Sequence, residues 1–207
     1  MNKVYFIAGI RGSGKNTLIS KLTQDYPNEF AQALSVKTRE YRPSETPGVD
    51  YIKYSKERFR RETQIIPTLT GTLSTFLESN EHFGEFYGTR KKEIENVLKN
   101  GKNVLKEIEP QGLMKIFRNI QSFAFQGVFI DIPDDIIEER MLTRNPHECL
   151  KNIQISRERA AIEREIIEEI QYLHGSDSIL HLDGNQQTSK IVDHFISHSQ
   201  QGVVLHS

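Results

Sequence analysis

The decapeptide GIRGSGKNTL, residues 9–18, brings together residues suited to holding phosphate. Gly9, four intervening residues, Gly14 and Lys15 have the spacing at which backbone N–H groups converge on phosphate oxygens and a lysine neutralises the outer ones. A helix starting at Lys15 would point its N-terminal end at the same charge. The next position, where a Ser or Thr hydroxyl usually reaches Mg²⁺, holds Asn16, with Thr17 one place late. An amide oxygen is a neutral acceptor able to face Mg²⁺ directly or through water. Mg²⁺ also keeps several waters and leans on substrate phosphates. The expectation is an ATP-binding loop of Gly9, Arg11, Gly12, Ser13, Gly14, Lys15, Asn16 and Thr17, in which Asn16 tunes the metal without abolishing it.

A second chemically capable set lies in SVKTREYRPSETPGVDY (35–51) and FLESNEHFGEFYGT (76–89). A phosphate monoester is a dianion, which guanidinium groups and phenol hydroxyls suit. Arg39 and Arg42 can make forked bonds to its oxygens, and Tyr51 and Tyr87 can donate to it. Taken singly, each reads as an ordinary surface residue. As an ordered set around the long loop 39–50 they read as a site, since long loops are more often functional than idle.

These residues need elements to hold them. KVYFIAGI is a short apolar run ending in glycine, as a buried parallel strand does. KNTLISKLTQDY places Leu18, Ile19 and Leu22 at helical spacing, so the glycine loop lies between a strand and a helix. ALSVKT (33–38) reads as a strand, SKERFRRE (55–62) as a short helix, and RKKEIENVLKNG (90–101) as a helix closed by Gly101. In TQIIPTLTGTLST (63–75) the threonines favour strand while Pro67 and Gly71 interrupt. NVLKEI (103–108) and GVFIDI (127–132) are core strands, each followed by a helix. ISRERAAIEREIIEEIQYL (155–173) is a long amphipathic helix, with Ile155, Ile162, Ile166, Ile170 and Leu173 on its apolar side and Arg159–Glu163 and Arg164–Glu168 as i,i+4 pairs. SILHLD (178–183) is a last strand, and a helix covers 187–199. Strands alternating with helices imply a parallel sheet covered on both faces.

A chain of 207 residues suits one domain. A net charge of −1 argues against a general binder of nucleic-acid polymers. The single cysteine, Cys149, excludes an internal disulfide and suits a reducing compartment, with a buried or half-buried thiol expected. VYFIAGI is too short to span a membrane and has no signal-peptide layout, so a cytoplasmic protein without a membrane partner is expected. His194 and His198 could share a metal, but without a third ligand they read as a solvated helix face. In DIPDDIIEE (131–139), Asp134 and Asp135 read as the start of a helix rather than a cation site.

Together the motifs resemble the guanylate kinases, a family of nucleoside monophosphate kinases. Ser35, Thr38, Arg39, Arg42, Glu45, Gly48, Asp50 and Tyr51 fall in register with a family pattern close to S-x-x-T-R-x-P-R-x-G-E-x-x-G-x-D-Y. Phe76, Leu77, Glu78, Gly84, Tyr87, Gly88 and Thr89 meet another without a gap, and EIEPQG (107–112) matches D-I-D-x-Q-G. The resemblance implies an α/β, P-loop NTPase-type three-layer fold with a parallel core sheet. One domain, 1–200, would comprise a core (1–33, 90–143, 157–200), an inserted monophosphate-binding sub-part (34–89) and a short mobile lid (144–156), followed by a tail, 201–207.

The resemblance further implies phosphorylation of GMP to GDP by ATP. GMP would be held by Ser35, Arg39, Arg42, Tyr51, Glu78, Tyr87, Thr89 and Glu107. Glu78 would read guanine, whose pairing edge offers two neighbouring donors to a carboxylate. Lys15, Arg140, Arg144 and Arg157 would be the catalytic cations, with Arg159 near enough to compete with Arg157. Mg²⁺ would be served by Asn16, Glu107 and Glu109, the last two being one methylene longer than the family's aspartates. The acceptor oxygen is already ionised near neutral pH, so alignment and positive charge, not a general base, would carry catalysis. The chain departs from the pattern at Lys37, Tyr41 and Leu182 and in additional residues between Tyr51 and Glu78. Two rival readings are a related module that binds without transferring phosphate, and a kinase acting on another phosphorylated small molecule. The oligomeric state is open.

Overall fold

The computed structural model describes residues 2–43, 45–64, 66–68, 71–82, 84–119 and 123–201. The core elements are β1 (Val4–Gly9), α1 (Lys15–Asp25) and β2 (Phe30–Gln32) at the start of the chain. The inserted part comprises β3 (Ser35–Lys37), β4 (Tyr51–Lys53), α2 (Lys56–Glu62), β5 (Ile66–Thr68), β6 (Gly71–Leu73), β7 (Phe76–His82) and β8 (Glu85–Arg90). The core resumes with α3 (Lys91–Lys99), β9 (Asn103–Glu107), α4 (Pro110–Asn119), β10 (Phe125–Asp131), α5 (Asp134–Arg144), α6 (Leu150–His174), β11 (Ile179–Asp183) and α7 (Thr188–Gln200).

All six residues of β1 are buried. It lies mid-sheet, paired in parallel with β9 and β10, and the strand order is β11-β10-β1-β9-β2. Side chains alternate between the two faces of this sheet. Tyr5, Ile7, Leu105, Val128 and Ile130 pack with Leu18, Ile19 and Leu22 of α1 and with Val192 and Phe195 of α7. Val4, Phe6, Ala8, Val104 and Phe129 pack with α4, α5 and α6 through Leu113, Ile116, Ile137, Met141, Ile153 and Ile167. The result is the three-layer α/β fold expected. Asp134 and Asp135 do open a helix, α5.

Four sequence expectations need correction. The long helix starts at Leu150, so the second half of the expected lid is helical and only 145–149 joins α5 to α6. Its buried side is Ile153, Ser156, Ala160, Glu163, Ile167 and Ile170, whereas Ile155, Ile162 and Leu173 are about half exposed. The buried set follows alternating three- and four-residue steps. Small Ser156 and Ala160 permit close packing and Glu163 is turned inward, so the expected set has Ile166 and Ile170 on the packed side but misplaces Ile155, Ile162 and Leu173. Arg159 pairs with Glu163 at 2.9 Å as expected, but Arg164 reaches Asp131 at 3.1 Å and Asp134 at 2.9 Å instead of Glu168. Cys149 is exposed at the start of α6 rather than half-buried.

The inserted part is more ordered than its polar composition implies. Its sheet has the order β4-β3-β8-β7 and its own core of Val36, Tyr54, Phe59 and Phe76. Strand β4 escaped sequence reading because it is three residues long, and β7 because Glu78, Ser79, Asn80 and Glu81 are all polar. Part of the additional stretch between Tyr51 and Glu78 folds as α2, where Ser55 accepts the first-turn N–H of Arg58. The backbones of β5 and β6 form an antiparallel ladder. The tail 202–207 lies outside the described residues.

Candidate active site

The loop after β1 is shaped by glycine where no other residue fits. A Cβ on Gly9 would stand 2.5 Å from the Ile130 carbonyl oxygen. Gly14, which caps α1, has φ of 96°. The loop borders a cavity of about 440 Å³ lined by Arg11 to Leu18, Glu107, Arg140 and Arg144, and closed at its far end by Gly184, Gln186 and Thr188. Lys15 Nζ donates to the carbonyl oxygens of Gly9 (2.6 Å) and Ile10 (3.1 Å), folding back over its own loop. Burial lowers its pKa, and the carboxylates of Glu107, Glu163 and Glu109 oppose that shift. Ser13 Oγ is buried without a partner among the described residues, an unmet polar atom in the loop that lines this cavity.

Arg140 bridges the two sides of the cavity, donating to the Gly12 carbonyl at 2.8 Å and the Gly184 carbonyl at 2.7 Å. Arg11 reaches Ser156 Oγ of α6 at 3.4 Å and Glu148 at 4.0 Å, tying the loop to the expected lid. Arg157 is elsewhere, held by Glu138 at 2.5 Å and the Asp134 carbonyl at 3.2 Å. Arg159 is the arginine of this pair that joins the site. It binds Glu109 and Glu163, both at 2.9 Å, and together with them acts electrostatically on Lys15. Burial pushes the Glu163 carboxyl above its usual range, opposed chiefly by Arg159.

On the acceptor side, Arg39 makes a forked pair with Glu45 at 2.5 and 2.7 Å. Hydrogen bonding to Arg39 holds the Glu45 carboxyl down to about 2, and the same bonding pushes the Arg39 guanidinium up. Tyr51 is fully buried, and its hydroxyl donates to the Arg39 carbonyl at 3.0 Å. The expectation that Tyr51 donates to phosphate is therefore unmet here, because its proton is already placed. The departure at Tyr41 has a structural role. Its ring stacks on Tyr51 with centroids 4.3 Å apart, and its hydroxyl donates to the Tyr51 carbonyl at 3.1 Å. Lys37, the other departure, sits 4.9 Å from the centre of the Tyr51 ring. Arg42 is exposed, with its backbone N–H on Glu45 at 2.8 Å. Tyr87 pairs with Lys37 across β3 and β8. Thr38, by contrast, is structural, giving its proton to Glu85 at 2.5 Å and accepting from Phe86 N–H.

Glu78 lies on β7 opposite Thr89, whose hydroxyl donates to Glu78 Oε1 at 2.6 Å. Burial raises its pKa, against the Thr89 bond and the Lys106 charge. Helix α4 confines it, since a Cβ on Gly112 would stand 3.4 Å from Glu78 Oε2. Glu107, at the end of β9, thus lines the phosphate cavity, while Glu78 stands on β7 between Thr89 and α4.

The guanylate kinase family profile matches residues 1–199. The guanylate kinase of Chlamydia abortus is 30% identical over 177 residues, covering 86% of this chain and 81% of that protein. The guanylate kinase of Chlamydia trachomatis serovar D is 31% identical over 180 residues, with 86% and 82% covered. The chain belongs to the guanylate kinase family. It is a nucleoside monophosphate kinase, built for ATP-dependent phosphoryl transfer. The crystal structure of the guanylate kinase from Anaplasma phagocytophilum shares the fold, with a TM-score of 0.58 over 98% of this chain and 88% of that one at 21% identity.

Three features of this kinase were not found from sequence. Lys106, in the middle of β9, is 1% exposed. A lysine directly after the apolar pair Val104 and Leu105 of a core strand was a usable signal that pattern matching passed over. Glu163 was read only as the i,i+4 partner of Arg159, not as a carboxylate acting on Lys15. The far wall of the cavity, Gly184 to Thr188, has no chemical signature in sequence. Among the described residues, no helix is long and apolar enough to cross a membrane.

Proposed function

We propose that this kinase transfers the terminal phosphoryl group of ATP to GMP, giving ADP and GDP, with Mg²⁺ as cofactor. The observation that carries the reading is the pair of consecutive residues ending β9, which serve different pockets. Glu107 lines the phosphate cavity, and Lys106 meets Ser35 at the acceptor pocket where Glu78 is buried. The relatives named guanylate kinase support GMP as the acceptor. Lys15, Arg140 and Arg144 supply positive charge in the cavity, and Arg159 takes the role first expected of Arg157. The carboxylates of Glu107, Glu163 and Glu109 act on Lys15, and Arg159 pairs with the last two. Asn16, Thr17 and Glu107 line the cavity and are the residues to hold Mg²⁺ or its waters beside the phosphates, whereas Glu109 is engaged by Arg159. When bound, the cation would neutralise charge on the moving phosphoryl group. Residues 145–149 and the first turns of α6 form the lid, which Arg11 couples to the phosphate loop.

The test is ADP formation with Mg-ATP and, in turn, GMP, dGMP, AMP, CMP and UMP. GMP-dependent turnover supports the reading. GMP binding without turnover points to a binding module, and turnover with another monophosphate alone reassigns the acceptor. Glu78→Gln should raise the KM for GMP by about 100-fold with ATP binding unchanged, because a site built to pair with N–H groups then offers the wrong partner. Lys15→Ala should do the reverse, abolishing ATP use and leaving GMP binding intact.

A further inference from the structure

Lys106 is a buried ammonium in a core strand, and the phosphate chemistry does not use it. Its Nζ donates to Ser35 Oγ at 2.5 Å. An ammonium has three donors and no acceptor. Across that bond Ser35 can only accept, and its own proton must point elsewhere. Ser35 is half-buried on β3. Val36 pairs with Gly88, so the next step along brings Ser35 level with Thr89, and Thr89 pairs with Glu78. Directly paired residues share a face of a sheet, so Ser35, Thr89 and Glu78 form one row across three strands. Thr89 is 1% exposed and has given its proton to Glu78. Lys106 fills one of the two Ser35 lone pairs and its charge repels a second N–H donor from the other, so in this row the half-buried Ser35 hydroxyl is left as a donor and the Glu78 carboxylate as an acceptor.

We propose that Lys106 is a positioning residue that sets base specificity: by donating to Ser35 it locks the Ser35 hydroxyl as a donor beside the Glu78 acceptor. The pocket then takes a base whose carbonyl adjoins its N–H groups and rejects one with an amino group in place of that carbonyl. Without the lock a hydroxyl turns freely and accepts from an amino group as readily as it donates to a carbonyl. The inference rests on the acceptor being a purine monophosphate held at Glu78. A purely structural role, in which Lys106 only offsets the Glu78 charge, would leave the Ser35 hydroxyl indifferent to what stands opposite it.

Two analogues separate these roles in the wild-type protein. The ribonucleoside monophosphates of 2-aminopurine and 2,6-diaminopurine both lack the carbonyl and the ring N–H of guanine. They differ only in hydrogen or amino at the position facing Ser35. Binding is read by calorimetry, which needs no turnover, with GMP as reference. A locked donor predicts that diaminopurine binds about tenfold or more weakly than 2-aminopurine. In Lys106→Met the order should disappear or invert, and the KM for GMP should rise about tenfold while kcat stays within about threefold. Tighter binding of diaminopurine by wild type overturns the proposal, as does a wild-type order retained in Lys106→Met. The wild-type comparison stands alone if the methionine variant does not fold. Absence of GMP binding by wild type would instead overturn the GMP reading itself, which the reference titration reports separately.

Discussion

Arg157 and Arg159 lie two residues apart on α6, and helical geometry sends them in different directions. Arg157 pairs with Glu138 on α5, while Arg159 joins Glu109 and Glu163 beside Lys15. Sequence register favoured the first and the fold favours the second, because the i,i+4 partner of Arg159 is buried. Arg159→Ala is expected to lower kcat by about 100-fold or more, as loss of a preorganised cation does. Arg157→Ala should stay within about threefold under the same steady-state assay. Glu45 makes a second residue-scale case. Its folded pKa of about 2 lies below the unfolded value of about 4.3. The Glu45–Arg39 pair therefore adds stability that is fully present above about pH 4.3 and is lost as pH falls toward about 2. Thermal melts should show Glu45→Gln less stable than wild type at pH 7, with the gap closing through that window. An unchanged gap at pH 2 would mean that the pair is not the source.

At the scale of elements, legibility followed burial pattern. β1 and α1 were legible because apolar residues at the strand and helix periods face a core on the sides the pattern predicts. β7 was not, because Glu78, Ser79, Asn80 and Glu81 are consecutive polar residues, so that no apolar alternation marks it. α6 was legible as a helix but only partly in its orientation, since Ile155 and Ile162 fall outside the buried face that carries Ile153, Ile167 and Ile170. Ile167 is 1% exposed and Ile162 is 52% exposed. Ile167→Ala should therefore cost about 2–5 kcal/mol by leaving a cavity. Ile162→Ala should change stability by no more than about 0.5 kcal/mol, as surface substitutions do. Urea denaturation of both variants checks the orientation, and equal losses would contradict it.

At the scale of the whole molecule, the three-layer core and the inserted part have separate interiors. The core packs two large apolar clusters on either side of one parallel sheet, while the acceptor part relies on Val36, Tyr54, Phe59 and Phe76. Smaller apolar clusters open at lower free energy. Backbone amides of β3, β7 and β8 should exchange faster than those of β1, β9 and β10, and GMP should slow the first set more than the second. Uniform exchange across both parts would show that they unfold as one unit. By itself the sequence determined the phosphate loop, the alternation of strands and helices and the family of acceptor motifs, because glycine geometry, hydrophobic period and motif spacing are properties of a linear chain. Only the tertiary structure decided which arginine pairs with the carboxylates acting on Lys15, where the Tyr51 hydroxyl goes and that Lys106 meets Ser35. Arg159 and Lys15 stand 144 residues apart in sequence, Lys106 and Ser35 71, and Tyr51 and the Arg39 carbonyl 12. Burial and charge settle such contacts after the elements have packed, and no local pattern encodes them.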